Sequence, residues 1–136
     1  MDIKQAIRQA GKMLWRAFPL ILGTIILVSI INVIIPKSFY SLIFQGNYLD
    51  PVIGAVAGSI LAGNPVTSYI LGGEFLNNGI SLIAVTAFIL AWVTVGIIQL
   101  PAESFLLGKK FAIIRNIISF ILAIIASIII GLIISI

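Results

Sequence analysis

Residues 51–73 read PVIGAVAGSILAGNPVTSYILGG, an apolar stretch that Gly63, Asn64 and Pro65 interrupt near its middle. A lipid bilayer offers no water to free backbone groups, so a broken helix is stable there only inside protein or beside a polar cavity. Transporters place substrate and ion sites at discontinuous helices of this kind. The interruption therefore predicts a polar site within a membrane.

Capping residues predict where the two halves of this stretch begin and end. Asp-Pro at 50–51 and Asn-Pro at 64–65 each place an N-capping residue before a proline at the first helical position. Gly63 and the glycine pair at 72–73 are typical of helix C-termini.

The lengths of the halves favour a hairpin that enters and leaves the membrane on one side. Residues 51–62 and 65–72 would extend about 18 Å and about 12 Å, against a hydrocarbon core of about 30 Å. We therefore expect a re-entrant hairpin of two half-helices. One continuous kinked helix is the alternative.

Composition indicates the protein class. The chain has 136 residues, of which 61% are hydrophobic and 9% charged, and its mean hydropathy is +1.27. A soluble domain of this size cannot bury so much apolar surface. Residues 17–35, 80–100 and 117–136 each approach the length of about 20 residues that a spanning helix needs. The sequence predicts one all-α, polytopic membrane domain over residues 1–136, with three to four transmembrane helices.

The N-terminal segment predicts an amphipathic helix. Basic residues recur at every fourth position: Lys4, Arg8, Lys12 and Arg16. Apolar residues lie opposite, and such a helix over residues 1–16 is expected to lie on anionic lipid of the cytoplasmic leaflet before Pro19 bends the chain into the first span. It serves either as an orientation anchor or as a specific sensor of anionic lipid.

The distribution of Lys and Arg predicts the orientation. If residues 51–73 re-enter, seven of the eight basic residues are cytoplasmic and only Lys37 lies outside. If they cross, four basic residues lie on each face. The positive-inside rule favours the first arrangement, with a cytoplasmic N-terminus in the cell membrane and a cytoplasmic loop over residues 101–116.

The hairpin tip supplies the candidate binding residues: Asn64, Pro65, Thr67, Ser68 and Tyr69. The second half-helix would begin near the membrane midplane with free N–H groups, and such an end favours an anion or a polarised oxygen. The carbonyls of residues 61–63 would instead face a cation or a donor. The structural alternative is that Asn64, Thr67 and Ser68 only cap the bent backbone.

A second polar cluster follows the third span and contains Gln99, Glu103 and Ser104 around Pro101. Gln99 and Glu103 are four residues apart and share a face if a helix continues across the proline. Glu103 is expected to pair with Lys109 or Lys110, with a vestibule carboxylate for a cation or proton as the alternative.

The chain contains no cysteine and no histidine. Disulfides, thiolate metal sites, imidazole proton relays and Ser-His or Cys-His catalysis are therefore excluded. The four carboxylates include no pair at a metal-ligand spacing. We expect neither an enzyme nor a metal or other cofactor, and no nucleic-acid partner.

Small residues at every fourth position predict close helix packing, within or between subunits. The last span carries Ser119, Ala123, Ser127, Gly131 and Ser135, the first half-helix Gly54, Gly58 and Ala62, and the third span Ala87 and Ala91. Three spans and one hairpin are too few to enclose a pathway, so transport would require a homodimer or a higher homo-oligomer.

Three segments resemble the predicted permeases related to the organoarsenical exporter ArsP: GSILAGNPVTSY at 58–69, QLPAE at 99–103 and GKKFAIIRN at 108–116. The likeness extends over residues 51–136, and this chain is similar to one half of a family member that contains two related halves. The resemblance implies a permease that dimerises, with Asn64 and Pro65 in the family's helix-breaking motif. Family members that move trivalent arsenicals are expected to use thiols, which this chain lacks, so the substrate is open.

The sequence thus predicts a membrane permease for a small solute or ion, acting as a homo-oligomer with paired broken helices at the midplane. A membrane subunit that packs against a larger partner and a passive channel are the alternatives.

Overall fold

The computed structural model describes residues 3–34, 36–61 and 63–134. Across these residues the chain is helical and contains no strand, which confirms the predicted all-α class. The helices are α1 (Ile3–Ile34), α2 (Lys37–Ile43), α3 (Asp50–Ile60), α4 (Pro65–Asn77), α5 (Leu82–Thr94), α6 (Leu100–Leu107) and α7 (Lys109–Ile134). The chain divides at Pro36 into two compact units, of which the first contains α1 and the second contains α2 to α7.

Within the described ranges, two helices are long and apolar enough to cross a membrane, namely α1 over Ile3–Leu27 and α7 over Lys109–Ile134. Only 6% and 17% of their most apolar windows are buried, whereas the core helix of a soluble protein is mostly buried. Pro19 lies inside α1 and does not end it, so the expected separation of a surface helix at 1–16 from a span at 17–35 is not seen as a break. A proline inside a helix removes a backbone hydrogen bond and its ring clashes with the preceding turn, which can kink a helix without ending it.

The apolar stretch at 51–73 is interrupted where the sequence predicts. α3 ends at Ile60 and α4 begins at Pro65, with Asn64 as its N-cap. The predicted end at the glycine pair 72–73 is wrong, because α4 continues through both glycines to Asn77. A glycine with a φ of +86°, Gly79, follows this end and turns the chain.

The predicted span at 80–100 is shorter in the structure. α5 ends at Thr94, a turn occupies 95–99, and α6 begins at Leu100 with Pro101 in its first turn. Residues 101–116, which the topology prediction places on the cytoplasmic side, form α6 and the first turns of α7, separated by Gly108 with a φ of +92°. Proline and glycine here separate helices without creating a loop.

α5 is the centre of the second unit. Helices α3, α4 and α7 all pack on it, and α6 packs on α7. Gly54 lies against Ala84 and Gly58 lies against Phe88, so α3 runs parallel to α5.

The other neighbours of α5 run in the opposite direction. In the α4 segment, Gly63 lies against Trp92 whereas Gly72 lies against Val85, so α4 is antiparallel to α5. α7 is antiparallel as well, because Gly131 near its end lies against Ile83, whereas Ala123 earlier in α7 packs in the core cluster farther along α5. The chain therefore reverses direction between α3 and α4.

Glycine permits the contact between α3 and α5. A methyl group on Gly54 would overlap the carbonyl oxygen of Ala84, and one on Gly58 would overlap that of Phe88. Small residues of three helices form the adjacent core: Ala55, Ala87, Ala91, Val95 and Ala123. Backbones at this distance gain packing over their whole length.

The strips of small residues pack within the subunit. In α7 the buried members face the core or α5: Ala123, Ser127 and Gly131. Ser135 and Ala62 lie outside the described residues. These strips therefore contribute to the subunit's own core, which answers the question that their spacing left open.

Replacing Gly58 with Ala is expected to lower the free energy of unfolding by about 1–3 kcal/mol, because the added methyl group meets the Phe88 carbonyl and separates two packed helices. Gly73→Ala is the matched control, since Gly73 has no neighbour within 4 Å of the added atom. That substitution should be neutral or stabilising by up to about 1 kcal/mol, through helix propensity. The measurement is the unfolding midpoint in detergent micelles, and equal shifts for the two variants would contradict the packing described.

Candidate functional site

Two interruptions of helical structure meet in the second unit. The first lies between α3 and α4, and the second is the turn at 95–99 between α5 and α6. The main-chain N–H of Ile97 donates a long hydrogen bond of 3.5 Å to the carbonyl of Ser59 in the last turn of α3. Gly63 lies against the indole edge of Trp92, in the last turn of α5. The backbone N–H and C=O groups of the two helix breaks therefore lie close together.

Asn64 caps the start of α4. Its side-chain oxygen accepts a hydrogen bond of 2.8 Å from the N–H of Val66, and its carbonyl accepts one of 3.0 Å from Thr67. The expectation of free N–H groups at these two residues is therefore wrong, because the asparagine satisfies both. The aligned peptide dipoles of α4 still give this end partial positive charge.

The other candidates at the first break differ in exposure. Ser68 is fully buried, and its hydroxyl donates to the Pro65 carbonyl at 2.7 Å. Pro65 is exposed, Thr67 is half-buried and Tyr69 is 62% exposed. The bonds of Asn64 and Ser68 match the capping alternative, while Tyr69 is open to a ligand or a partner.

Trp92 is a buried residue at this break that sequence reasoning missed. Only 6% of its surface is exposed, and its indole Nε1 has no hydrogen-bond partner among the described residues. The Cζ2 atom lies 3.5 Å from the position of a Cβ on Gly63. A buried donor without a partner costs about 1–3 kcal/mol, so Trp92 is conspicuous beside a broken helix.

A row of aromatic rings fixes the orientation of Trp92. The ring centroids of Trp92 and Phe88 are 5.4 Å apart, and those of Phe88 and Phe75 are 5.1 Å apart. The row ends at Tyr40 of α2, whose ring centroid lies 6.0 Å from that of Phe75. Burial raises the pKa of the Tyr40 phenol, and the Glu74 carboxylate raises this pKa further. The row connects α2, α4 and α5, and its edge contacts hold the indole in place.

Glu103 lies beyond the second break and pairs with Arg115. Its two carboxylate oxygens accept from Nε of Arg115, at 2.9 Å, and from Nη2. The expected pairing with the lysines at 109–110 is wrong, because the antiparallel packing of α6 on α7 brings Arg115 opposite Glu103. Gln99 is exposed at the N-cap of α6, and its side chain folds over Gly96.

Asn116 extends this ion pair into the interior. It is 6% exposed, and its Nδ2 donates to the Ala112 carbonyl at 3.0 Å and to Glu103 at 3.4 Å. Both partners are acceptors, which fixes the orientation of the amide. Its Oδ1 is buried without a partner among the described residues. The carboxylate oxygens of Glu103 and the buried Oδ1 of Asn116 thus place hydrogen-bond acceptors beyond the second break.

A cavity of about 490 Å³ lies at the opposite end of α5, between the start of α3 and the end of α7. Asp50 lines it and is 3% exposed. The sequence predicts Asp50 as the N-cap of α3, but the helix begins at this residue, and its carboxylate accepts instead from the N–H of Gly46 at 2.9 Å. Asp50 therefore closes the preceding turn.

The residues that sequence reasoning missed are Trp92, Arg115 and Asn116. Arg115 and Asn116 are polar residues in an otherwise apolar helix, and this pattern points to buried polar contacts. No sequence pattern singles out Trp92, because an aromatic residue in an apolar run is typical of any core.

Replacing Glu103 with Gln is expected to weaken the packing of α6 on α7 by about 1–2 kcal/mol. This value lies between those of exposed and buried ion pairs, since the two side chains are 20% and 33% exposed. Glu74→Gln is the control, because Glu74 hydrogen-bonds only to Asn78 of the same turn in the described structure. Unfolding midpoints in micelles measure both effects.

The exchange of both charges, Glu103→Arg with Arg115→Glu, should recover part of this loss. A wild-type midpoint for Glu103→Gln would mean that the pair does not hold the two helices together.

Comparison of the chain with protein-family models, with curated proteins and with solved structures finds no match. The resemblance to the ArsP-related permeases therefore stays a prediction.

Proposed function

We propose that this protein is a multi-pass membrane permease for a small solute or ion, acting as a homodimer or higher homo-oligomer. The observation that carries the proposal is the meeting of two helix breaks, with a buried donor at one and a buried acceptor group at the other. Discontinuous helices that meet inside a membrane are the usual place of substrate and ion sites.

The directions of the helices support a re-entrant α3 and α4. α3 begins at the cavity that Ile128 and Leu132 of α7 also line, and its 11 residues extend about 16 Å. The 26 residues of α7 extend about 39 Å. The first break then lies near the middle of a bilayer, and α4 returns to the side from which α3 entered.

The broken path of α5 and α6 supplies the span opposite α7. Both helices run antiparallel to α7, and together with the turn they extend over residues 82–107. α1, the α5–α6 segment and α7 are then three spans. The basic residues at 109–110 lie at the cytoplasmic end, as does the N-terminus.

Exposure at the first break supports an oligomer. Leu61, Asn64 and Tyr69 are all exposed, at the depth where lipid satisfies no backbone or amide group. A second copy that packs its own break against this surface would cover these groups. Two hairpins would then meet at a common axis and enclose a polar path.

Cysteine accessibility tests the topology, because the chain contains no native cysteine. Asn77→Cys is expected to react with an impermeant maleimide from outside the cell, and Lys109→Cys only from inside. Both side chains are exposed. Ser68→Cys should react slowly, since this residue is fully buried.

Reaction of Asn77→Cys from inside and of Lys109→Cys from outside would mean that residues 51–73 cross the membrane. The re-entrant hairpin would then be wrong, and the case for a midplane site would be reduced to a proline kink.

Thiol cross-linking in native membranes tests the oligomer. A short bismaleimide should join two copies through Tyr69→Cys, because this residue lies at the proposed axis. Ile118→Cys is the matched control, since Ile118 is 51% exposed on α7 and would face lipid. Equal yields for the two variants would contradict a shared axis at the first break, and no dimer from Tyr69→Cys would favour a subunit that packs against another protein.

A further inference from the structure

The indole of Trp92 and the N-terminus of α4 together point to the chemical class of the substrate. The indole presents an unpartnered N–H, the start of α4 presents partial positive charge, and Gly63 lies next to both. We infer that the first break binds a small oxyanion, such as a carboxylate or a phosphate, and that Trp92 Nε1 donates to it. This inference rests on the proposed function and deepens it.

The unpartnered state of Trp92 is the first support. Its N–H is buried and meets no acceptor among the described residues, although main-chain carbonyls are plentiful at the end of a helix. The aromatic row of Phe88 and Phe75 holds the ring, so the N–H cannot turn to a nearby carbonyl without breaking these contacts. An incoming acceptor would remove the desolvation penalty of this group.

The second support is the field of α4. Thirteen residues run from Pro65 to Asn77, and their aligned dipoles place partial positive charge at the Asn64 end. The first turn of α4, all of which the structure describes, contains no acidic side chain. An anion would therefore meet a favourable field without a competing carboxylate.

Gly63 supplies the access. Gly63 is exposed and lies against the edge of the indole, so a surface residue without a side chain lies next to this ring. A shift of this short segment, which contains no regular structure at 63–64, would open the indole to a ligand. The second copy proposed above would cover the ligand from the other side.

The chain contains only two tryptophans, and this makes the test direct. Trp15 is 79% exposed on α1, so Trp15→Phe leaves Trp92 as the sole indole with little effect on folding. Sodium acetate or sodium phosphate is titrated into this variant in detergent against sodium chloride at constant ionic strength. We expect a saturable shift of the Trp92 emission to longer wavelength, and no shift with methylammonium chloride.

Trp92→Phe removes the N–H and keeps an aromatic ring. With Trp15 retained, calorimetric binding of acetate or phosphate should weaken about tenfold, as expected for the loss of one hydrogen bond to a charged acceptor. The unfolding midpoint of this variant, measured in parallel, checks that it is folded. Should it not fold, Gly63→Ala replaces it, because its methyl group would fit in ordinary contact with the indole and should weaken binding by narrowing the access.

Unchanged binding in Trp92→Phe, or the absence of any saturable response of Trp92 to either oxyanion, would overturn the inference. A response to methylammonium alone would overturn it as well and indicate a cation. These outcomes are independent of the cysteine accessibilities, so the oxyanion site can fail while the re-entrant topology stands.

Discussion

Close backbone contact between α3 and α5 determines where the polar groups of this protein lie. Gly54 and Gly58 allow the carbonyls of α5 to approach a neighbouring helix without an intervening side chain. The last turn of α3 consequently reaches the turn after α5, where Ser59 accepts from Ile97. The position of the first break beside Trp92 thus depends on the absence of two methyl groups.

The polar groups around the two breaks are separated by type. In the part of the chain that the structure describes, the first break has an unpartnered buried donor, Trp92 Nε1, whereas an unpartnered buried acceptor, Asn116 Oδ1, lies beyond the second break. Glu103 and Arg115 neutralise each other beside this acceptor. In the proposed permease, an oxyanion would meet the indole N–H of Trp92 at the first break, and the neutralised pair of Glu103 and Arg115 lies beyond the second break.

Local chemistry accounts for the features that the sequence predicts correctly. The start of α4 follows from Asn64 and Pro65 alone, because a cap and a fixed φ act over three or four residues. The same local rules failed at the glycine pair 72–73. A glycine inside a helix costs only about 1 kcal/mol, and the packing of Gly72 against Val85 offsets it. Pro101 is compatible with helix at 101–107 because it lies in the first turn of α6, and the ion pair of Glu103 with Arg115 joins this helix to α7.

Composition and a few adjacent residues are enough to predict the all-α class, the apolar character of the chain and the break at Gly63 to Pro65. The partner of Glu103, the inward packing of the small-residue strips and the lack of a partner for Trp92 Nε1 among the described residues become visible only in the folded subunit. These features depend on the register between helices that are distant in the chain. That register is set by shape complementarity over many side chains, and no single stretch of sequence contains both surfaces.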